Sequence, residues 1–187
     1  MKIKKYNHLK VRQAYWYSRH GCSVCDTPRY AVEPVLEFIK GYKNKVIWCP
    51  FDTDDSMYVR VLKENGYTVV NTHILNGQDF YEYEPKKYDI IISNPPFKNK
   101  RAIFERAIQL NKPFMLLMSM VWLNDSTPKI LFGDNMELLM FDKRIIFRAP
   151  DGTIQNKITF SCGYYCKGVL PRAIQVRKLN VKDNDYI

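Results

Sequence analysis

A short run in the middle of the chain, Tyr-Asp-Ile-Ile-Ile-Ser at residues 88–93, limits the possible folds more than any other segment. Three consecutive isoleucines leave no polar face for solvent, so the run suits a strand that is covered on both sides. Such strands are typical of parallel sheets with helices packed on each face. A chain of 187 residues has room for a single domain of this kind. The run therefore predicts an α/β fold.

Segments typical of strands and of helices alternate on either side of this run. Strands are predicted at residues 45–51, 67–74, 78–80, 113–119 and 136–141, and helices at 27–39, from 57 up to 66, at 101–110 and ending at 129–132. Thr27 is expected to cap the first helix, and Asp55 or Ser56 the second. The strand-like segments 144–148, 157–166 and 173–179 then follow without a helix between them. We expect an open, mostly parallel sheet with helices on both faces and an antiparallel C-terminal hairpin at one edge.

The positive charge of the chain lies in two flanking regions. The net charge is +7 over residues 1–48, −4 over 49–92 and +7 over 93–187, which totals +10. Basic flanks favour a polyanion such as DNA or RNA, although a generally basic, solvated surface would give the same count. We expect residues 1–24 to form a basic, aromatic N-terminal arm and residues 25–187 to form one domain without a separate target-recognition domain.

The apolar segments and the cysteines indicate the compartment. No apolar stretch has the length of a membrane span, and the N-terminus lacks the layout of a secretory signal, so a cytoplasmic protein without membrane contact is expected. Five cysteines leave one over when paired, and free thiols are expected. Cys22, Cys25, Cys162 and Cys166 could supply four thiolates to zinc, but the spacing and apolar surroundings of the second pair favour buried side chains without a metal.

The tetrapeptide Asn94-Pro95-Pro96-Phe97 follows the apolar run directly, where the strand must end. The two prolines lack backbone donors and stiffen the turn. The Asn94 side-chain oxygen and a proline carbonyl can then accept both protons of one amino group, while Phe97 offers a face for a planar ring. Two acceptors on its protons take the lone pair of such an amine out of conjugation with the ring. The lone pair can then attack an electrophilic methyl group. The motif therefore predicts a site for a planar amine; an ordinary Pro-Pro turn is the alternative.

The block Asp-Ile-Ile-Ile-Ser-Asn-Pro-Pro-Phe resembles the catalytic motif of the amino methyltransferases, which include adenine-N6, RNA guanine-N2 and glutamine-N5 enzymes. With Trp-Cys-Pro-Phe-Asp at 48–52, Gly-Gln-Asp-Phe at 77–80 and Lys-Pro-Phe at 112–114, the chain is similar to short bacteriophage proteins of the adenine-N6 group. The resemblance covers roughly residues 25–180. It implies a Rossmann-like methyltransferase fold, S-adenosyl-L-methionine as the cofactor and nucleic acid as the substrate, either DNA or RNA with DNA favoured. It also implies the host cytoplasm as the site of action of a phage protein.

The same resemblance implies roles for individual residues. The catalytic residues are Asn94, Pro95, Pro96 and Phe97. The residues implied in cofactor binding are Thr27, Pro28, Tyr30, Cys49, Pro50, Phe51, Asp52, His73, Asp79 and Phe80. The residues implied in substrate binding are Lys98, Lys100, Arg144 and Phe147, of which Phe147 belongs to a late strand that closes the target-base pocket.

The loop after the first predicted strand, Cys-Pro-Phe-Asp-Thr-Asp-Asp-Ser, has no glycine, although glycine lets a backbone approach a ligand closely. A second interpretation is therefore a protein of the same fold that has lost cofactor binding and binds DNA or a host protein through its basic flanks. A methyltransferase for RNA guanine-N2 or for protein glutamine is a third. A target in duplex DNA would have to be flipped out of the stack.

Overall fold

The computed structural model describes residues 27–147 and 160–181. Within them lie seven strands: β1 Val46–Cys49, β2 Thr68–Asn71, β3 Ile90–Ser93, β4 Phe114–Ser119, β5 Glu137–Phe141, β6 Cys162–Lys167 and β7 Ile174–Arg177. The α-helices of this part are α1 Arg29–Val32, α2 Val35–Phe38, α3 Met57–Glu64, α4 Lys100–Gln109 and α5 Ser126–Phe132. Short 3-10 helices cover Lys40–Tyr42, Ile74–Asn76 and Met120–Asn124.

All seven strands belong to one sheet with the order β2-β1-β3-β4-β6-β5-β7. Strands β1 to β4 are parallel to one another, and β6 runs antiparallel to both of its neighbours, β4 and β5. The predicted α/β fold, with a mostly parallel sheet and an antiparallel C-terminal hairpin, is confirmed. The expected location of the antiparallel pairing at the sheet edge is wrong, because β6 lies inside the sheet and the edge strand β7 is parallel to β5.

The core is divided between the two faces of the sheet. Successive residues of β3 alternate between two hydrophobic clusters: Ile90 and Ile92 pack on the face that carries α1, α2 and α3, and Ile91 packs on the face that carries α4 and α5. All three isoleucines are fully buried. The unbroken apolar run thus has the cause that the sequence indicated, since helices cover both faces of this strand.

Three predicted elements differ from the structure. Residues 78–80 form a turn and not a strand, because the backbone carbonyl of Asp79 accepts hydrogen bonds from the backbone N–H groups of Glu82 and Tyr83. Residues 144–147, the described part of another predicted strand, form no strand with the described sheet. The helix expected at 27–39 is two short helices, because Pro34 has no N–H with which to continue the hydrogen bonding of α1.

Both expected helix caps use their side chains elsewhere. Pro28 is the N-cap of α1, and the hydroxyl of Thr27 accepts a hydrogen bond from the Asn94 amide instead. Ser56 does occupy the N-cap of α3, but its hydroxyl donates to the Asp52 carboxylate and caps no backbone N–H. The two hydroxyls therefore link each helix start to the loops at the end of the sheet.

Within residues 27–147 and 160–181, no helix is both long enough and apolar enough to cross a membrane.

Candidate functional site

The carboxyl ends of β1, β2 and β3 meet at one edge of the sheet. Strand β1 lies between the other two, with β2 on one side and β3 on the other. The chain reverses its direction of travel across the sheet at this point, which makes the crevice between β1 and β3 a topological switch point, the usual ligand site of open α/β sheets. The loop that follows β1, residues 50–56, and the loop that follows β3, residues 94–99, both border this crevice.

Asn94 is the first residue of the second loop, and its amide has two different environments. The Nδ2 group donates a hydrogen bond of 3.0 Å to the Thr27 hydroxyl. The Oδ1 atom is buried and accepts no hydrogen bond from any residue that the structure describes. The hydrogen bond to Thr27 thus directs the amide donor toward α1 and leaves the acceptor oxygen for another group. Pro95 beside it is buried, and Pro96 is half-buried.

Aromatic side chains surround the end of the tetrapeptide. Phe97 lies edge-on to Phe147, with 6.2 Å between ring centroids, and packs against Phe160 at 5.6 Å. The Tyr30 hydroxyl accepts a hydrogen bond of 2.9 Å from the backbone N–H of Ile146, and so holds the segment of Phe147 against α1. The structure therefore brings together Tyr30, Phe97 and Phe147, which the sequence assigned to one site. Phe160 was missed, because nothing in its predicted strand distinguished it from core residues.

A shallow, open pocket lies at the ends of β1 and β2. Its lining consists of Pro50, Phe51, His73, Ile74, Asp79, Phe80 and Tyr81. Five of these residues were implied in cofactor binding by the resemblance. The other two, Ile74 and Tyr81, directly follow His73 and Phe80 in the chain, and their adjacency to those residues was the signal that could have identified them.

The polar groups of this pocket are held by the backbone. The Nδ1 atom of His73 accepts a hydrogen bond of 3.2 Å from the N–H of Leu75, and burial lowers the pKa of His73, so the imidazole is neutral at pH 7. The Oδ1 atom of Asp79 accepts one of 3.0 Å from the N–H of Tyr81. Among the residues that the structure describes, no lysine or arginine lines the pocket. The described lining therefore combines flat apolar surfaces with one carboxylate.

Two residues implied in cofactor binding face the interior and not the pocket. The Cys49 thiol is fully buried in the hydrophobic cluster beneath α3, and burial raises its pKa well above the ordinary value. Asp52 is only 6% exposed, and its two carboxylate oxygens accept hydrogen bonds from the hydroxyls of Ser56 and Ser93. Burial raises the pKa of Asp52 to about 6, although the two serine donors act in the opposite direction. The roles of Ser56 and Ser93 were missed by the sequence analysis.

The residues implied in substrate binding are dispersed around the tetrapeptide. Lys98 and Arg144 are exposed, Lys100 is half-buried at the start of α4, and Phe147 is buried. Pro28, which the resemblance implied in cofactor binding, is half-buried at the N-cap of α1.

The described residues contain no group of three or more histidine, cysteine or acidic side chains placed to hold a metal ion. Cys162 and Cys166 are free thiols buried on β6, as the apolar pattern predicted. Cys22 and Cys25 lie outside the described residues.

Comparison with known proteins gives matches in structure alone. No protein-family model matches the sequence, and no curated protein does. A solved structure assigned to a modification subunit of a type I restriction enzyme from Vibrio vulnificus YJ016 is similar with a TM-score of 0.45 and 11% identity, over 94% of this chain and 51% of that one. A structure assigned to a class I S-adenosylmethionine-dependent methyltransferase from Listeria monocytogenes has a TM-score of 0.47 and 12% identity, over 97% of this chain and 76% of that one. The chain thus spans about half the length of the Vibrio protein.

Proposed function

We propose that this protein transfers a methyl group from S-adenosyl-L-methionine to the exocyclic N6 amine of adenine in nucleic acid. The observation that carries the proposal is the Oδ1 atom of Asn94, a buried acceptor at the end of β3 without a partner in the described chain. Nearly all buried polar groups in proteins have a hydrogen-bond partner. An unpaired acceptor next to a switch-point crevice therefore supports a ligand that brings the missing donor.

The residues around Asn94 suit a flat amine. In this proposal the Asn94 Oδ1 atom and the Pro95 carbonyl each accept one proton of the amino group, and Phe97, packed against the buried Phe147, lies against the ring that carries it. The two prolines fix the backbone, so little conformational freedom is lost when the amine binds. The lone pair of the amine is thereby directed out of conjugation and toward the methyl donor.

The residues that line the pocket beside this corner suit the cofactor in their chemistry. Phe51, Ile74 and Phe80 offer apolar surfaces for an adenine ring, and Asp79 offers a carboxylate for its polar groups. A neutral His73 and a described lining without lysine or arginine avoid repulsion of a sulfonium cation. When bound, the cofactor supplies an electrophilic methyl group, and the residues of this pocket would hold it.

The charge of the chain supports a polyanionic substrate. The net charge is +10, and the exposed Lys98 and Arg144 lie one and three residues from Phe97 and Phe147 in the chain. Cations in these positions could contact phosphates on either side of a base that lies on Phe97. Choice of DNA over RNA, and of adenine over other amines, is part of the proposal and follows the family resemblance of the tetrapeptide.

Two measurements test the proposal. Calorimetry with S-adenosylhomocysteine should detect binding at micromolar concentrations. Incubation with methyl-labelled cofactor and either DNA or RNA, followed by mass spectrometry of the nucleosides, should give N6-methyladenine. Label on guanine, or on protein glutamine with none on nucleic acid, would replace adenine as the substrate. No heat and no transfer would reject the enzymatic proposal.

One observation favours a second candidate, a protein of this fold that binds DNA or a host protein without a cofactor. The glycine-free loop after β1 already uses its backbone groups internally: the N–H of Asp52 donates to the carbonyl of Thr72 at 3.2 Å, and the carbonyl of Asp52 accepts from the Asn71 amide at 3.3 Å. A loop bonded in this way offers fewer groups to a ligand. This candidate predicts DNA binding that is unchanged by saturating S-adenosylhomocysteine, together with no calorimetric signal for the cofactor.

A further inference from the structure

Asp52 is the only aspartate or glutamate that is buried in the described part of the chain. Its Oδ1 atom accepts the hydrogen bond of Ser56 at the start of α3, and its Oδ2 atom accepts that of Ser93, the last residue of β3. Asp52 itself lies in the loop after β1. One carboxylate thus joins the ends of two neighbouring strands and the helix that follows the first of them.

The position of Asp52 connects the two halves of the candidate site. Phe51, the residue before it, lines the pocket, and Asn94, the residue after Ser93, carries the unpaired buried oxygen. Any displacement of the Asp52–Ser93 hydrogen bond therefore moves the pocket wall and the amide relative to each other. The distance over which the methyl group must travel depends on that relation, and a shift of about 1 Å in such a geometry can cost about a hundredfold in rate.

We propose that Asp52 is a positioning residue that acts through Ser93 on Asn94, and that uptake of a proton on the Asp52 oxygen that faces Ser93 reverses or breaks this hydrogen bond and moves the amide. The catalytic meaning of the link rests on the function proposed above. The link itself does not, because it is defined by hydrogen bonds within the chain. The role differs from the direct cofactor contact that the family resemblance implied for this residue.

The chemistry of the carboxyl group explains why one proton suffices. An ionised carboxylate only accepts hydrogen bonds, so both serine hydroxyls can donate to it. After protonation one of its oxygens becomes a donor, and one serine must rotate or lose its bond. Burial raises the pKa of Asp52 to about 6, which places this change within the range of ordinary assay conditions.

The groups that face Asp52 do not titrate in the same range. Cys49 on β1, Tyr58 on α3 and Tyr164 on β6 interact electrostatically with it. Burial raises the pKa of all three, so each is neutral near pH 6. Asp52 is therefore the group of this cluster whose charge changes there. Burial also lowers the pKa of His73 in the neighbouring loop from its ordinary value of 6.5, so the Asp52 and Ser93 variants, and not the midpoint alone, assign a pH effect to Asp52.

The first experiment needs no activity. In spectra of the nitrogen-15-labelled full chain, the side-chain amide signals of Asn94, identified by their loss in Asn94→Ala, should shift between pH 5 and 8 with a midpoint of about 6. The shift should vanish in Asp52→Asn and in Ser93→Ala. The matched control Ser56→Ala removes the other serine and should keep a pH-dependent shift. Ser93→Ala carries the test alone if Asp52→Asn fails to fold.

Two results would overturn the inference. One is an Asn94 signal that is constant over this pH range in the unmodified chain; the other is a shift that persists in Ser93→Ala.

The second experiment separates positioning from cofactor contact. With saturating cofactor, the rate of methyl transfer should rise about tenfold from pH 5 to 7 as Asp52 ionises, and it should be flat in Asp52→Asn. The affinity for S-adenosylhomocysteine should stay within about twofold in that variant. A large loss of affinity with no change in the pH profile would assign Asp52 to the cofactor instead. The two proposals fail in different ways. If no methyl transfer occurs, the proposed function is rejected, but the Asn94 signals still decide whether Asp52 acts on Asn94 through Ser93.

Discussion

The two loops that leave the neighbouring strands β1 and β3 treat their buried polar groups in opposite ways. In the loop after β1, both carboxylate oxygens, the N–H and the carbonyl of Asp52 all have hydrogen-bond partners. In the loop after β3, the buried Oδ1 atom of Asn94 has none among the described residues. A polar group whose hydrogen bonds are all made within the chain stabilises a conformation, whereas an acceptor without a donor can accept a hydrogen bond from a ligand. The contrast supports the proposed positioning role of the acid and the proposed binding role of the amide.

The contrast also has an energetic side. Leaving a buried acceptor unpaired costs about 1–3 kcal/mol, and burying a carboxylate without a cation costs stability at neutral pH. Both costs fall on adjacent strand ends, while the core of the sheet on either side is apolar. Sites that sacrifice stability in this way are commonly functional. Changes at the two loops should therefore affect stability and activity in different proportions.

Replacing the unbonded amide should have the largest effect on function. We expect Asn94→Ala to lower methyl transfer by at least about a hundredfold, because one of two acceptors for the amine is removed. The fold should remain, since the variant loses one hydrogen bond to Thr27 and also removes an unpaired buried oxygen. Single-turnover rates and thermal unfolding measure the two effects.

Asn135→Ala is the matched control for this change. Asn135 is exposed and lies just before β5, so it is at the end of the sheet opposite to the candidate site. It should transfer at the rate of the unmodified chain. Equal rates for Asn94→Ala and its control would contradict the binding role of the amide.

The pocket wall should give the next largest effect. Phe51 is half-buried and lies 4.8 Å from Phe80 between ring centroids. We expect Phe51→Ala to weaken the binding of S-adenosylhomocysteine about tenfold, because one apolar face for the cofactor adenine is lost. Phe38→Ala, a half-buried phenylalanine on α2 that lines no part of the pocket, should leave the dissociation constant unchanged in calorimetry. An unchanged constant in Phe51→Ala would place the cofactor elsewhere.

The fold was largely predictable because its pattern is local. The unbroken apolar run at Ile90 to Ile92 identified a strand covered on both faces, and alternation with helical segments identified the parallel sheet. The position of β7 was not predictable in this way. Its pairing in parallel with β5 is a contact between segments that are distant in the chain, and the alternation within one strand carries no information about its neighbour.

The site was predictable where it depends on a motif and not where it depends on contacts in space. The tetrapeptide that begins at Asn94 and the residues His73 and Phe80 were identified as candidates from the sequence. The structure places all of them at the carboxyl end of the parallel strands. The hydrogen bonds from Ser56 and Ser93 to Asp52 join residues of three separate elements. Serine at a helix start is most often a cap, so the sequence favoured the wrong partner for Ser56.

Neutralising the fully bonded acid should affect stability. Because burial raises the pKa of Asp52 to about 6 from an ordinary value of 3.8, the folded state binds this proton more tightly than the unfolded state. The contribution of this tighter proton binding to the free energy of unfolding is fully present below pH 3.8 and is lost as the pH rises through 6. Asp52→Asn should therefore raise the free energy of unfolding at pH 7.5 by on the order of 1 kcal/mol and lose this advantage near pH 4.

Urea unfolding at the two pH values measures this difference. Asp134→Asn is the control, since Asp134 is exposed beside Lys129, and its effect should stay within about 0.5 kcal/mol at both. A variant Asp52→Asn that is less stable at pH 7.5 would show that the serine bonds outweigh the burial of the charge.

The orientation of the amide should give the smallest effect and the finest test of the contrast between the loops. Thr27 accepts the hydrogen bond of the Asn94 Nδ2 group at 3.0 Å, and this bond fixes which amide atom points away from Thr27. Thr27→Val has the same shape but cannot accept, so the amide can reverse and present its donor to the amine. We expect transfer to fall about threefold, which corresponds to roughly 0.6 kcal/mol, the lower part of the range for one hydrogen bond.

Thr27→Ser keeps the acceptor and should restore the rate, because the hydroxyl and not the methyl group is what orients Asn94. The family resemblance placed Thr27 on the cofactor instead, and that role predicts a different pair of results: Thr27→Val would weaken binding of S-adenosylhomocysteine with little change in the rate at saturation. Measuring the rate and the dissociation constant for both variants therefore distinguishes a residue that orients the amide from one that binds the cofactor. Equal losses of rate in Thr27→Val and Thr27→Ser would assign the effect to packing at the start of α1.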